Sequence, residues 1–584
     1  MKKLVSLILV CLMLAATLSG CAVDPEDKGA IMPVAISKEM KAYDPVPMIY
    51  DSELVMNTGL LYEGLTVLDE DGDVQEGIAK EWYTDIDEAR GEYWLYFELE
   101  DETSWDDEKY VQADDFVYAW RRILSPTTSS PAACLLYGIK NAKAYKAGDV
   151  TADDLGVYAE SDTLLKVEFE GPFDLDLFLE NVSSPALVAQ REDNVYGRED
   201  TWSASLDHFA ANGPFTLKNF IMGESVTFQR NPVYRRQKES DSAVYEIVSP
   251  WKLQQDFTIS AEEQMEKFNK GDIYYISNFT KETYAKNEDD MEVTDLMSVY
   301  SYFFNTTKAP FDNKQVRQAL SISLDRNKIA SISGKGVKPA TGIVTYGVHD
   351  EDTDDSFREE GGDLVKTSAD VKKAKDLIAK SGIKASDYTI EIYTLRDTAD
   401  VEIAKYTKEV WESLGFKVKL SSGGGRNYTN KLYTGNFDVI GIDYQGLTPD
   451  AFSFLAPFAK EYSGEAIDIN SDVRTATHVT GLDDADYNKL IDNIFKTMDV
   501  EKRIKLLHDA EKKLVDLCPI APLHFNVNAY LASDRLDDLE VSGYGYTIFT
   551  EADLDDYEES NKILIEEENK RKQAEIEANK KKNQ

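Results

Sequence analysis

Between Tyr388 and Ile442 the chain changes its hydrophobic period from two to about 3.6 and back again, which restricts this stretch to a mixed α/β arrangement. Tyr388-Thr389-Ile390-Glu391-Ile392-Tyr393 alternates as a strand does, and Val401 to Leu414 sets Ile403, Thr407, Val410, Trp411 and Leu414 near one helical face. Gly415 stands where a left-handed cap ends a helix, and Phe416 to Leu420 alternates again. The spacing predicts one βαβ unit. Phe437 to Ile442 is almost continuously apolar, as expected of a strand covered on both faces in a largely parallel sheet. Further helices are predicted at Ala113 to Leu124, Val316 to Leu324 and Ala485 to Leu517, and a length of 584 residues suggests about three or four domain-sized units.

The amino end reads as a targeting segment. Lys2 and Lys3 precede a mainly apolar run from Leu4 to Leu18, shorter than the roughly 20 residues a spanning helix needs. Leu18-Ser19-Gly20-Cys21 has the form of a bacterial lipobox, so residues 1–20 are expected to be a lipoprotein signal peptide and Cys21 a lipid anchor. Two acyl chains on that sulfur would hold a body at the outer face of the bacterial cell membrane where one would slip off. Residues 21–30 would then be a polar tether, and the alternative is ordinary secretion with cleavage elsewhere. A formal charge of -43 makes nucleic acid a poor partner. Of four cysteines, Cys11 leaves with the signal and Cys21 carries lipid. Cys134 and Cys518 remain without any CxxC pair, which supports neither a disulfide scaffold nor a cysteine zinc site.

Catalytic signatures are missing from the sequence. There is no Gly-x-Ser-x-Gly elbow and no His-Glu-x-x-His, and the histidines at 208, 349, 478, 508 and 524 lack ligand spacing. His349 to Asp355 alternates carboxylates like a calcium loop, yet Asp355 replaces the turn glycine and Gly361 the closing glutamate, so a solvated loop is the better reading. Gly423-Gly424-Gly425 has no lysine-serine ending and reads as a linker. The charged run from Tyr557 to Gln584 suits an exposed helix or a disordered tail. No enzyme activity, cofactor or metal is expected.

Several short segments follow one another in a recognisable order. These are Tyr62-Glu63-Gly64-Leu65, Gly77-Ile78-Ala79-Lys80-Glu81-Trp82, Trp105-Asp106-Asp107, Ala113 to Arg122, Asn212-Gly213-Pro214-Phe215 and Asn231-Pro232-Val233-Tyr234. The most specific is Asn305 to Ile329, with Pro310-Phe311-Asp312, Val316-Arg317-Gln318-Ala319-Leu320 and Asp325-Arg326. In this order the chain resembles the oligopeptide-binding proteins of ABC importers. The resemblance implies an α/β, two-lobed periplasmic-binding-protein-like fold of the large peptide-binding type. One lobe would take residues 31–300 and 522–556, with an extra subdomain at about 65–180, and the other residues 301–521, before a charged tail at 557–584.

The same resemblance implies capture of a peptide or peptide-like ligand by strand addition and its delivery to a membrane permease, by a monomer performing no chemistry. Glu39, Gly213, Tyr302, Asp443, Tyr444 and Asp450 are its candidate ligand-binding residues. The family's aspartate for the peptide amine is replaced: register against Ser453-Phe454-Leu455 puts Leu447 there, which leaves Asp443 or Asp450 to supply a carboxylate from a shifted loop. Other readings are a peptide-signal sensor that imports nothing and an extracellular hydrolase.

Overall fold

The computed structural model describes residues 28–36, 43–46, 52–69, 72–199, 201–234, 248–277, 279, 281–334, 336–350, 356–396, 399–466 and 480–582. The signal segment, Cys21 and Glu39 lie outside them. Two lobes share one eleven-stranded sheet. Its continuous row runs Lys417–Gly423, Thr389–Leu395, Val439–Gln445, Glu292–Phe304, Ile520–Ala532, Tyr275–Ile276, Ile31–Ala35, Lys252–Asp256, Ser225–Arg230 and Phe215–Ile221, while Lys338–Pro339 pairs onto Ile520–Ala532 beside it.

At the centre of this row stand two antiparallel strands of 13 residues each, Glu292–Phe304 and Ile520–Ala532. One end of the pair lies beside Val439–Gln445 and the other beside Tyr275–Ile276, so these two strands carry the chain from one half of the sheet to the other. Their ladder slips between Asp295 and Val299 and again between Tyr300 and Ser301. Such irregularities bend and twist a strand pair locally.

The expected βαβ unit is present. Thr389–Leu395 runs parallel to Lys417–Gly423, and helix Ala399–Ser413 between them buries Ile403, Ala404, Thr407 and Trp411. Gly415 has φ 102, the left-handed geometry expected of it. Trp411 is fully enclosed, and its indole N–H donates to the Leu320 carbonyl at 3.1 Å, which joins this helix to Lys314–Ile322. Val439–Gln445 is buried along its length except at Asp443, but it is parallel only to Thr389–Leu395 and antiparallel to Glu292–Phe304. The predicted helix from Ala485 to Leu517 is two helices, Ala485–Phe495 and Val500–Leu517. Asp499 interrupts it by accepting the Lys502 N–H at 2.9 Å, a side-chain cap that starts the second helix afresh.

A separate antiparallel sheet, in the order Ala79–Asp87, Glu92–Leu99, Leu164–Glu168, Val157–Ser161, projects from the first half of the chain. Helix Ala113–Leu124 packs on it, burying Phe116, Trp120, Ile123 and Leu124. At the carboxyl end, Tyr557–Lys582 is helical, and its first turns are docked through Asn561, which is fully buried. The Asn561 carboxamide accepts the Ile31 N–H at 2.8 Å and donates to the Gly29 carbonyl at 2.9 Å. Among the described residues no helix is long and apolar enough to cross a membrane.

Candidate ligand-binding cleft

The strand Val439–Gln445 ends in a tight turn that is fastened from several sides. Gly446 N–H donates to the Met297 carbonyl at 2.8 Å, and a Cβ on Gly446 would fall 2.2 Å from the Phe454 ring, so only glycine permits that closeness. The Tyr544 hydroxyl donates to the Leu447 carbonyl at 3.0 Å and the Tyr546 hydroxyl to Gln445 Oε1 at 3.1 Å. Leu447 itself is buried.

Three of the candidate residues share this strand-turn-helix unit, and they differ in what they face. Tyr444 is buried among Phe303, Phe454 and Phe458, with its hydroxyl donating to the Phe454 carbonyl at 2.8 Å. Asp443 is half-buried and accepts the Asn526 carboxamide at 2.8 Å. Asp450 caps helix Ala451–Leu455 through the Phe452 N–H at 2.8 Å and is clasped by both guanidinium nitrogens of Arg503 at 2.8 Å. A carboxylate so matched is already neutralised.

Tyr302 lies opposite Gly441 in the sheet but is fully buried beside Trp411, and burial pushes its phenol well up. Gly213 sits in a turn against the end of helix Ser52–Leu61, where a Cβ would lie 2.6 Å from the Leu61 carbonyl carbon. Its neighbour Asn212 exchanges hydrogen bonds with the main chain of Glu63 at 3.3 Å in both directions.

A cavity of 1080 Å³ lies between the projecting subdomain and the far half of the chain, and of the candidates among the described residues Asp450 alone lines it. One wall is built from the turn Pro131–Leu136, helix Ala142–Ala147 and the bend from Phe169 to Asp174. The opposing wall comes from Phe452, the turn from Lys460 to Ala466 and the facing ends of the helices Ala485–Phe495 and Val500–Leu517. The walls touch at one side. Ser130 N–H donates to the Gly464 carbonyl at 3.2 Å, the Tyr137 and Tyr462 rings lie 5.6 Å apart, and Lys143 reaches Glu461 at 2.7 Å while sitting 4.3 Å over the Tyr462 ring.

Buried in the first wall, the Lys146 ammonium donates to the Ile123 carbonyl at 3.3 Å, the Ser125 carbonyl at 3.2 Å and the Thr128 carbonyl. Desolvation pushes it down to about 7. Neither Lys146 nor Arg503 carries a sequence signal, because each acts through partners distant in the chain.

Gly464 has φ 69, and a Cβ there would fall 1.9 Å from the Ser130 carbonyl oxygen of the opposite wall. Gly464→Ala is therefore expected to separate the walls and to cost about 1–2 kcal/mol of folding stability for the left-handed backbone. A larger radius of gyration in solution scattering would report the first effect; an unchanged profile would contradict it.

The strand junction behind the cleft holds His524, buried and stacked on Tyr300 with ring centroids 5.2 Å apart. Desolvation pushes its imidazole down to about 4. Between that value and the ordinary 6.5 the unfolded chain binds more protons, so stability rises with pH through this window and is lost as pH falls through it. The expected loss is about 3 kcal/mol. Urea midpoints of the wild type and His524→Asn, compared at about pH 7 and pH 4.5, should show a steeper acid loss in the wild type.

Comparison with known proteins places these features in context. The family model for bacterial extracellular solute-binding proteins, family 5 Middle, matches residues 73–465. The dipeptide-binding protein DppE of Bacillus subtilis (strain 168) is 27% identical over 514 residues, covering 87% of this chain and 89% of that protein. The structure of the Haemophilus influenzae OppA complex with RPPGFSPFR matches with a TM-score of 0.75 at 23% identity, over 90% of this chain and 99% of that one. The Escherichia coli murein tripeptide binding protein MppA matches with a TM-score of 0.75 at 24% identity, over 90% and 98%. Against the unliganded open form of MppA the TM-score is 0.53 at 26% identity, over 87% of this chain and 95% of that one.

Proposed function

Because the chain belongs to the bacterial extracellular solute-binding proteins of family 5, we propose that it captures a peptide between its lobes and releases it, unaltered, to a membrane permease of an ABC importer. The observation that carries this reading is the cavity of 1080 Å³ between elements of the two lobes, larger than the roughly 300–1,000 Å³ of common small-molecule sites. Its walls come from parts of the chain joined through the two long central strands. We place the lobe boundary within Glu292–Phe304 and Ile520–Ala532, whose ladder slips twice. Bending there would open the cleft with few chain crossings, in the manner of hinge closure around a ligand.

A ligand shifts such an equilibrium only by binding the closed state better than the open one, and contacts to both walls at once supply that difference. In this reading Cys21 carries the lipid that keeps the protein at the outer face of the membrane, as a monomer. Mass spectrometry of solutes released by denaturing the purified protein tests the ligand class. Peptides are expected; a sugar or metal chelate recovered alone would overturn the reading. Labelling with radioactive palmitate that persists in Cys21→Ser would remove the anchor from it.

A further inference from the structure

We propose that the cavity selects peptides bearing a cationic side chain, Lys or Arg, which the carboxylates and aromatic rings of the first wall receive; this rests on the reading of peptide capture above. Seven carboxylates and five cations line the space, so its walls are negative on balance. Pairing within the walls sharpens that imbalance. Lys143 is met by Glu461 at 2.7 Å and Asp492 at 3.6 Å, Lys496 by Asp492 at 2.6 Å, Lys460 by Asp483 at 2.9 Å and Arg503 by Asp450 at 2.8 Å. Lys146 spends three N–H donors on main-chain carbonyls, and desolvation pushes it down to about 7, so it opposes an incoming cation only in part.

Three carboxylates of the first wall, Asp149, Glu170 and Asp174, form no ion pair among the described residues. Glu170 accepts the Asn141 N–H at 2.6 Å and Asp174 the Leu177 N–H at 3.2 Å, bonds that leave their negative charge in place. Each directly follows one ring of the Phe169–Phe173 stack, whose centroids lie 3.8 Å apart. Phe173 is only half-buried, and an open ring face attracts an ammonium or guanidinium, most strongly where water is partly excluded. A separate observation points to a hydrogen-bonding ligand. Tyr137 lines the same wall at 3% exposure, yet its hydroxyl has no partner among the described residues and can accept an N–H from what enters. A desolvated cation therefore finds charge, ring face and acceptor on one wall, whereas a ligand carboxylate meets cations that are already engaged.

The test uses purified full-length protein, unfolded and refolded to free it of carried ligand, and N-acetylated, C-amidated hexapeptides of Leu, Phe and Gly in which two positions are Lys, Gln or Glu. Calorimetric titration is expected to show the Lys set binding at least about tenfold more tightly than the Gln set, and the Glu set weakest. In the double variant Asp149→Asn, Glu170→Gln, both side chains exposed and nearly isosteric, that advantage should fall about tenfold while the Gln set binds as before. A formal charge of -43 attracts any cationic peptide to the surface, so the variant separates the two sources. A Lys advantage that survives it unchanged belongs to the surface and overturns this inference, as does equal binding of the Lys and Gln sets; either result leaves peptide capture standing. Failure of every peptide in all three sets would overturn both.

Discussion

Arg503→Met is expected to lower folding stability by about 3–5 kcal/mol, far more than the loss of a surface ion pair. Arg503 and Asp450 have side chains 7% and 8% exposed, and the two nitrogens of one grip the two oxygens of the other at 2.8 Å. Removing the guanidinium leaves a largely buried carboxylate without its counter-charge, still holding the Phe452 N–H at the start of helix Ala451–Leu455. Most of the cost is the stranded charge, so the double variant Asp450→Asn, Arg503→Met should recover much of it. Urea unfolding of the three variants measures this directly. A single variant within about 1 kcal/mol of wild type would show that the pair is not isolated from solvent.

A second loss of comparable size is expected at Glu511→Ala. Glu511 is fully buried in helix Val500–Leu517, and one of its oxygens accepts from Arg358 at 2.5 Å and from the Ile343 and Val344 N–H groups at 2.7 and 3.0 Å. Its removal orphans a buried cation and two amides together, a cost of about 3–5 kcal/mol or more. The surroundings are fitted to the pair: a Cβ on Gly342 would fall 1.6 Å from an Arg358 guanidinium nitrogen. Besides the shift in unfolding midpoint, hydrogen exchange at the Ile343 and Val344 amides should accelerate. Unchanged protection there would mean that other acceptors hold these amides.

How much of this was legible depends on the range of the interactions involved. The βαβ unit was readable because its signals are local: alternation in Thr389–Leu395, a helical face carrying Ile403, Thr407 and Trp411, and Gly415 as the stop. The strand Ile520–Ala532 was not readable as central, since Pro522 cannot donate to a ladder and argues against such a place. Pro522 is accommodated beside the slip at Tyr300 and Ser301, where the ladder is already interrupted. Its carbonyl is engaged from the side by Arg326 at 2.7 Å.

The cavity walls were invisible for a different reason. Phe169, Phe178, Phe452 and Tyr462 are buried residues whose sequence surroundings match any core position, and only the fold sets them around a gap. Asp450 was singled out as a carboxylate with a charge to offer, but its partner lies 53 residues away on another helix. Long-range pairing of that kind leaves no pattern in a single sequence.

The carboxamide of Asn561 gives the molecule an unexpected continuity between its extremities. By bonding both Gly29 and Ile31 it makes the helix Tyr557–Lys582 a clamp on the strand Ile31–Ala35, so segments 530 residues apart are read by the fold as one seam. A protease that clips the trailing helix ahead of that asparagine would take away the partner of both the Ile31 N–H and the Gly29 carbonyl at the edge of the first described strand.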